Sequence, residues 1–196
     1  MESSSQVNHY DILKGQLREC YGRTVYSHKT HEKCADILLS RFSNIKVLQI
    51  ILSALTTAGF ISTFFGSENT GAAIGVVLST ILLVLNAYTK DYDLGELAQK
   101  HKQAANEIWL IRESYLSLLT DIEARSKSLE EISAIRDQLL VKLHDIYSGS
   151  PSTTFKAYKK AQKALQIDED MTFSDDEIDN FLPRESRQKR KYNSSL

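Results

Sequence analysis

Three residues in the first quarter of the chain have the types a metal would use. His28, His31 and Cys34 recur at three-residue steps, which on a helix brings nitrogen and sulfur donors onto neighbouring turns. A structural zinc site takes four ligands, the three-residue step drifts around a helix, and no further donor pair falls in phase. These three are therefore read as ordinary helix-face residues. No glycine loop for phosphate, no HExxH, no GxSxG and no paired carboxylates in a pocket-forming pattern occur. The chain is accordingly expected to be no enzyme and to hold neither cofactor nor metal.

The remaining residues with chemical capacity sit inside apolar sequence. Gln49, Ser53, Thr56 and Thr63 share one helical face, with Phe60 among them, in a run without charge. Ser79, Asn86 and Thr89 share a face of the next run. Lipid penalises hydroxyls and amides that lack a partner or water. Two roles fit: hydrogen-bonding between helices, or the lining of a water-filled pore in an oligomer with Phe60 as its hydrophobic gate. The opposite face carries Leu48, Ile51, Leu52 and Leu55 for lipid or packing. Gly71, Gly75 and Ser79 repeat at four-residue steps, an arrangement that lets helix backbones approach closely in lipid.

The elements that must hold these residues follow from charge segregation. Across 196 residues the net charge is only −1, yet between Val47 and Thr89 the single charged residue is Glu68. The runs 47–67 and 69–89 are each about 30 Å long as helices, the thickness of a bilayer's hydrocarbon core. Gly66, Ser67, Glu68, Asn69 and Gly71 supply turn-forming types between them. Lys33, Arg41 and Lys46 precede the first span, Lys90, Lys100 and Lys102 follow the second, and the connection has no Lys or Arg. The positive-inside rule then puts both termini in the cytoplasm, of a multi-pass protein of the cell inner membrane. Cys20 and Cys34 fall on that reducing side, so no disulfide is expected. The opening MESSSQVNHY has neither a basic nor an apolar stretch of a signal peptide, which leaves insertion to the internal spans.

The fold class expected is an all-α membrane protein: a two-helix transmembrane hairpin with a cytoplasmic helical bundle or coiled coil. Residues 1–46 form an N-terminal helical arm with an interruption near Gly22, and 47–89 form the hairpin. In 90–150, Leu94, Leu97, His101, Ala104, Ile108, Ile111, Tyr115, Leu118 and Ile122 recur at alternating steps of three and four. That seam serves either assembly between chains or packing on the same chain. Ser128 and Glu131 have capping-box spacing ahead of a second amphipathic helix, which stops at Gly149, Ser150 and Pro151. In 151–196, a charged helix sets Lys156, Lys159, Lys160 and Lys163 opposite Phe155, Tyr158 and Leu165, a solvated face or a contact for anionic lipid headgroups. An acidic segment and a basic tail follow. Without a recognisable module around RQKRK, nucleic acid is not an expected partner.

With these residues in view, the chain resembles the SLATT family of two-transmembrane effectors. The resemblance rests on YSHKTHEKCADILLSRFSNIKVLQIILSALTTAGFISTFFG, on the turn and second span, and on KDYDLGELAQKHKQAANEIWLIRESYLSLLTDI; DEIDNFLPRESR also looks like the end of one subfamily. It implies an effector of bacterial defence, an abortive-infection device found beside nucleotide-signalling proteins or, in some subfamilies, reverse transcriptases. Such an effector would oligomerise into a pore or disrupt the membrane once its partner is triggered. The rival reading is a non-conducting membrane adaptor that displays a helical bundle to a partner. The resemblance carries over a role for the spans and no ligand residues.

Overall fold

The computed structural model describes the backbone of residues 2–65 and 70–187 and the side chains of 9–61 and 70–187. The turn expected at Gly66, Ser67, Glu68 and Asn69, the side chain of Thr63 and the end of the basic tail lie outside these residues. Among the described residues the regular structure is helical: α1 (Glu2–Phe65), α2 (Thr70–Asp91), α3 (Leu94–Ala124), α4 (Leu129–Gly149), α5 (Phe155–Gln166) and α6 (Asp175–Phe181), with a 3₁₀ turn at Arg184–Ser186.

At 64 residues, α1 is about 95 Å long and joins the N-terminal arm to the first apolar span without a break. The interruption expected near Gly22 is absent. A lone glycine costs a helix only about 1 kcal/mol relative to alanine, and Leu17 and Thr24 are fully buried on either side of it, so packing outweighs propensity.

A single stripe runs along α1 at steps of three and four. Leu13, Leu17, Thr24, His28, His31 and Ala35 are buried on it, and Ile45, Gln49, Leu52, Thr56 and Gly59 continue it into the apolar half. Against this stripe α3 and then α2 lie antiparallel. Lys14 pairs with Glu123, His31 with His101, Gln49 with Asn86, and Gly59 lies against Gly71 and Gly75. Between α2 and α3 the chain leaves the helix at Tyr92 and Asp93, and the Asp93 carboxylate accepts from the Glu96 N–H at 2.8 Å to start α3.

The core at the far end of α1 joins Leu13 and Leu17 to Ile111, Tyr115, Leu118 and Ile122 of α3 and to Ile132 and Leu139 of α4. Burying each such side chain stabilises the bundle by about 1.5–3 kcal/mol. Most of the α3 seam is therefore used within one chain. At its start Ala98 is fully buried while Leu97 is 37% exposed, since the small methyl is what the close approach admits. Arg125, in the left-handed region at φ 49°, closes α3, and the capping box of Ser128 and Glu131 opens α4.

In α5 the buried face is Ala157, Ala161 and Ala164, and the aromatic residues expected there, Phe155 and Tyr158, are exposed. Methyl groups let the backbone approach its neighbour more closely than rings would. The Tyr158 ring lies 6.0 Å from that of Tyr26 on α1. Residues from 162 onward form a separate compact unit. In it Lys163 pairs with Asp168 at 2.8 Å, and Ser174 and Glu177 form the capping box of α6.

Candidate functional site

The apolar hairpin is inverted relative to a water-soluble core. Its outer surface exposes Ile50 (68%), Leu83 (68%) and Val84 (63%), together with Ile51, Leu55, Ile74, Val76 and Val77. Polar side chains lie between the helices instead. Gln49 donates through Nε2 to Asn86 Oδ1 at 2.9 Å and to Thr89 Oγ1 at 3.3 Å. An uncovered apolar surface of this extent suits the interior of a bilayer. Both α1 and α2 are long and apolar enough to cross one.

The expected polar stripe of α1 is divided by this packing. Gln49 and Thr56 are half-buried in the seam with α2, whereas Ser53 and Phe60 are exposed. Leu52, assigned from sequence to the opposite face, is buried in the seam between Gln49 and Thr56. The reason is helical phase: 45, 49, 52, 56 and 59 form one stripe, and 53 falls a turn's edge away from it. Hydroxyls that face outward are satisfied by their own helix, Ser53 on the Gln49 carbonyl at 2.8 Å and Thr57 on the Ser53 carbonyl at 2.9 Å.

The small residues of α2 are used for close approach. A Cβ on Gly59 would stand 3.2 Å from the Gly71 carbonyl oxygen, and one on Gly75 would meet the Phe60 ring at 3.5 Å. Gly75 is buried and Ser79 half-buried, with the Ser79 hydroxyl donating to the Val76 carbonyl.

Below the hairpin the α1–α3 seam changes character. Thr24, His28, Lys29, Thr30, His31 and His101 are buried there. His31 Nδ1 and His101 Nδ1 lie 3.0 Å apart, so one ring donates and the other accepts, which requires the acceptor to be neutral. Burial, with His101 and His28 alongside, pushes the His31 imidazole down to about 4, and burial lowers His101 too. Burial also lowers His28, against the opposing pull of Glu32. Lys29 donates to Glu32 at 2.9 Å, and Arg112 to Glu113 at 2.6 Å. Cys34, the third residue of the sequence triad, is a free buried thiol. Among the described residues no three His, Cys, Asp or Glu side chains converge as metal ligands.

In the amino-acid order His101 is one more heptad position, and Thr24, Lys29 and Arg112 belong to no motif. The available signal was phase: polar types at 24, 28, 31 and 101 fall on seam positions that apolar residues occupy elsewhere. Above this layer opens a cavity of about 380 Å³ lined by Leu38, Arg41, Leu97, His101, Pro151 and Lys156, among others.

A family model described as SMODS and SLOG-associating 2TM effector domain family 4 matches residues 13–177. The chain belongs to this family. The match starts at Leu13, the first buried residue of α1 among the described ones, and ends in α6, so the SLATT domain takes in most of the long helix, the hairpin, the histidine layer and α3 to α5. The SLATT protein is thus a membrane protein with a two-transmembrane effector domain. No curated protein and no solved structure matches the chain.

Proposed function

We propose that this SLATT protein is the membrane-acting effector of a bacterial defence system, held as closed hairpins in the inner membrane with both termini cytoplasmic. When a nucleotide-signalling or reverse-transcriptase partner is triggered, several copies associate and make the membrane leak. The observation that carries the reading is the unbroken α1. One helix holds both the face that packs in the polar bundle and the face that packs in the bilayer, so a rotation imposed on the arm is delivered to the seam around Gln49. Helical rods transmit such motion because their backbone hydrogen bonds run through every turn. The lysines and arginines that flank the spans support the orientation.

In the activated state Gln49, Ser53, Thr56 and Thr63 would line the wet path and Phe60 would gate it. Opening exchanges the Gln49 hydrogen bonds to Asn86 and Thr89 for water, which favours a closed rest state. Assembly uses what the intrachain packing leaves uncovered on α3: Leu97, Trp109, Leu110 and Leu116 are exposed. A second reading, a non-conducting adaptor, is favoured by the same Gln49 contacts, since they satisfy the half-buried amide without any lumen.

Single cysteines along both faces of 47–61, in a chain with Cys20 and Cys34 replaced, separate the two readings. A membrane-impermeant thiol reagent is expected to label positions 49, 53 and 56 only after triggering, and Phe60→Ser is expected to leak untriggered. Depolarised cells with no labelled stripe would refute the pore lining; partner-dependent killing without depolarisation would establish the adaptor.

A further inference from the structure

Two exposed faces late in the chain have no part in the effector reading, and they are opposite in charge. From Lys156 to Lys163 there are four lysines and no acidic residue, and from Asp168 to Asp179 there are seven acidic residues and no Lys or Arg. Both stretches also expose large apolar side chains. On α5 the alanine face is turned inward, which leaves Phe155 and Tyr158 outward, with the Lys159 ammonium 5.5 Å from the centre of the Phe155 ring and Lys156 exposed next to it. On α6, Ile178 and Phe181 are three residues apart on one face, Phe173 is exposed just ahead of the helix, and Asp175 and Asp179, one turn apart, border that face. Phe155 is 74% and Phe181 83% exposed, so neither ring is covered within one chain.

Depth decides between a bilayer and a protein as the partner of the α5 face. Tyr158 lies beside Tyr26, which precedes the uncharged span by 21 residues, about 31 Å along α1. Lipid headgroups extend only about 5–8 Å beyond the hydrocarbon. Lys156 and Lys159 are within one helical turn of Tyr158, too far from the span for headgroups to reach. What fits this face is an acidic segment with apolar anchors, and every copy of the chain carries one at α6.

We infer that the acidic segment around α6 of one copy docks on the aromatic and basic face of α5 of a second copy. Ile178 and Phe181 cover Phe155 and Tyr158, and Asp175 and Asp179 lie against Lys156 and Lys159. The contact is heterologous: each copy gives one face and receives on the other, so copies join head to tail into a ring or a row. Its apolar area is on the order of 600 Å², the size of a transient contact. Confinement in one membrane raises the effective concentration of the copies and makes such a contact sufficient. The inference goes beyond the effector reading and does not rest on conduction, since an adaptor that never conducts can assemble in the same way.

Full-length chains bearing two different tags would be mixed in a neutral detergent and treated with a carbodiimide, which joins amines to adjacent carboxylates. A dimer carrying both tags is expected, with α5 lysines joined to α6 carboxylates in its peptides, and its yield should fall about fivefold between low salt and about 0.5 M salt. Lys156→Glu combined with Lys159→Glu, and Asp175→Lys combined with Asp179→Lys, should each lower the yield about tenfold through like-charge contact. An equal mixture of the two double variants should recover the wild-type yield, because every contact between unlike copies again joins opposite charges. Unchanged helical circular dichroism will confirm that each variant folds. Cross-links confined to single chains would overturn the inference in favour of α6 folding onto its own α5. Wild-type yield from either double variant alone, or no recovery in the mixture, would overturn the pairing of these two faces. Loss of the α5–α6 cross-links in nanodiscs of dioleoyl phosphatidylglycerol, with retention in phosphatidylcholine, would instead assign the lysines to lipid.

Discussion

Acid should weaken the bundle through His31, and the size of the effect can be worked out. The ring is 3% exposed and its folded value is about 4 against an ordinary 6.5, so the unfolded chain takes up the proton first. Stability from this group is complete above the unfolded value and is lost as pH falls toward 4. Between about pH 7.5 and pH 5 the linkage amounts to about 2 kcal/mol. For a chain of this size that lowers the melting temperature by about 4–8 °C. His101 and His28 are lowered by burial and act in the same direction. Lys29, Arg112 and Glu113 are among the other charged groups that act on this layer. The carboxyls of Glu123 and Asp121, held below their usual range by hydrogen bonds from Lys14 and Lys127, titrate at lower pH. The assay is a thermal melt of the full chain in detergent, followed by circular dichroism at half-unit pH steps. His31→Gln keeps a hydrogen-bonding group for His101 and should remove most of the slope. A wild-type melt that is flat over this range, or a His31→Gln melt with the wild-type slope, would refute the argument that the histidine pair is buried and neutral.

Ile108→Asp places a carboxylate at a fully buried α1–α3 contact and should cost more than about 4 kcal/mol, read as loss of the cooperative melt rather than only of cross-linked oligomers. Ser128→Ala removes the hydroxyl that accepts from the Glu131 N–H and should lower stability by about 1 kcal/mol, measured by chemical denaturation of the detergent-solubilised chain. Gly59→Leu drives a branched side chain toward the Gly71 carbonyl and should separate α1 from α2, detected as faster proteolysis in membranes or as untriggered leakage; Gly22→Leu, where nothing lies within 4 Å, is the neutral control. Reporter fusions at residues 1 and 196 that are active only outside the cytoplasm should both be silent, and activity at one end alone would break the proposed topology.

The two spans, the helical class, the cap at Ser128 and the seam of α3 were all legible in the amino-acid order, because each is a local pattern. Charge-free length, a hydroxyl three residues ahead of a glutamate, and steps of three and four need no knowledge of distant residues. The continuity of α1 through Gly22 was not legible, since a glycine's local cost is outweighed only by packing on α3. Nor was the seam's phase between Ser53 and Leu52, which differ by a single residue and are sorted by the partner helix. The pairing of His31 with His101, 70 positions apart, and the cavity that Leu38 and Leu97 share with Pro151 exist only once α1 lies antiparallel to α3 and the chain returns through Pro151. Local sequence determines what each helix is and which solvent its outer face accepts; the antiparallel register of the helices decides which polar groups meet, because burial leaves a polar group no other partner than the one opposite it.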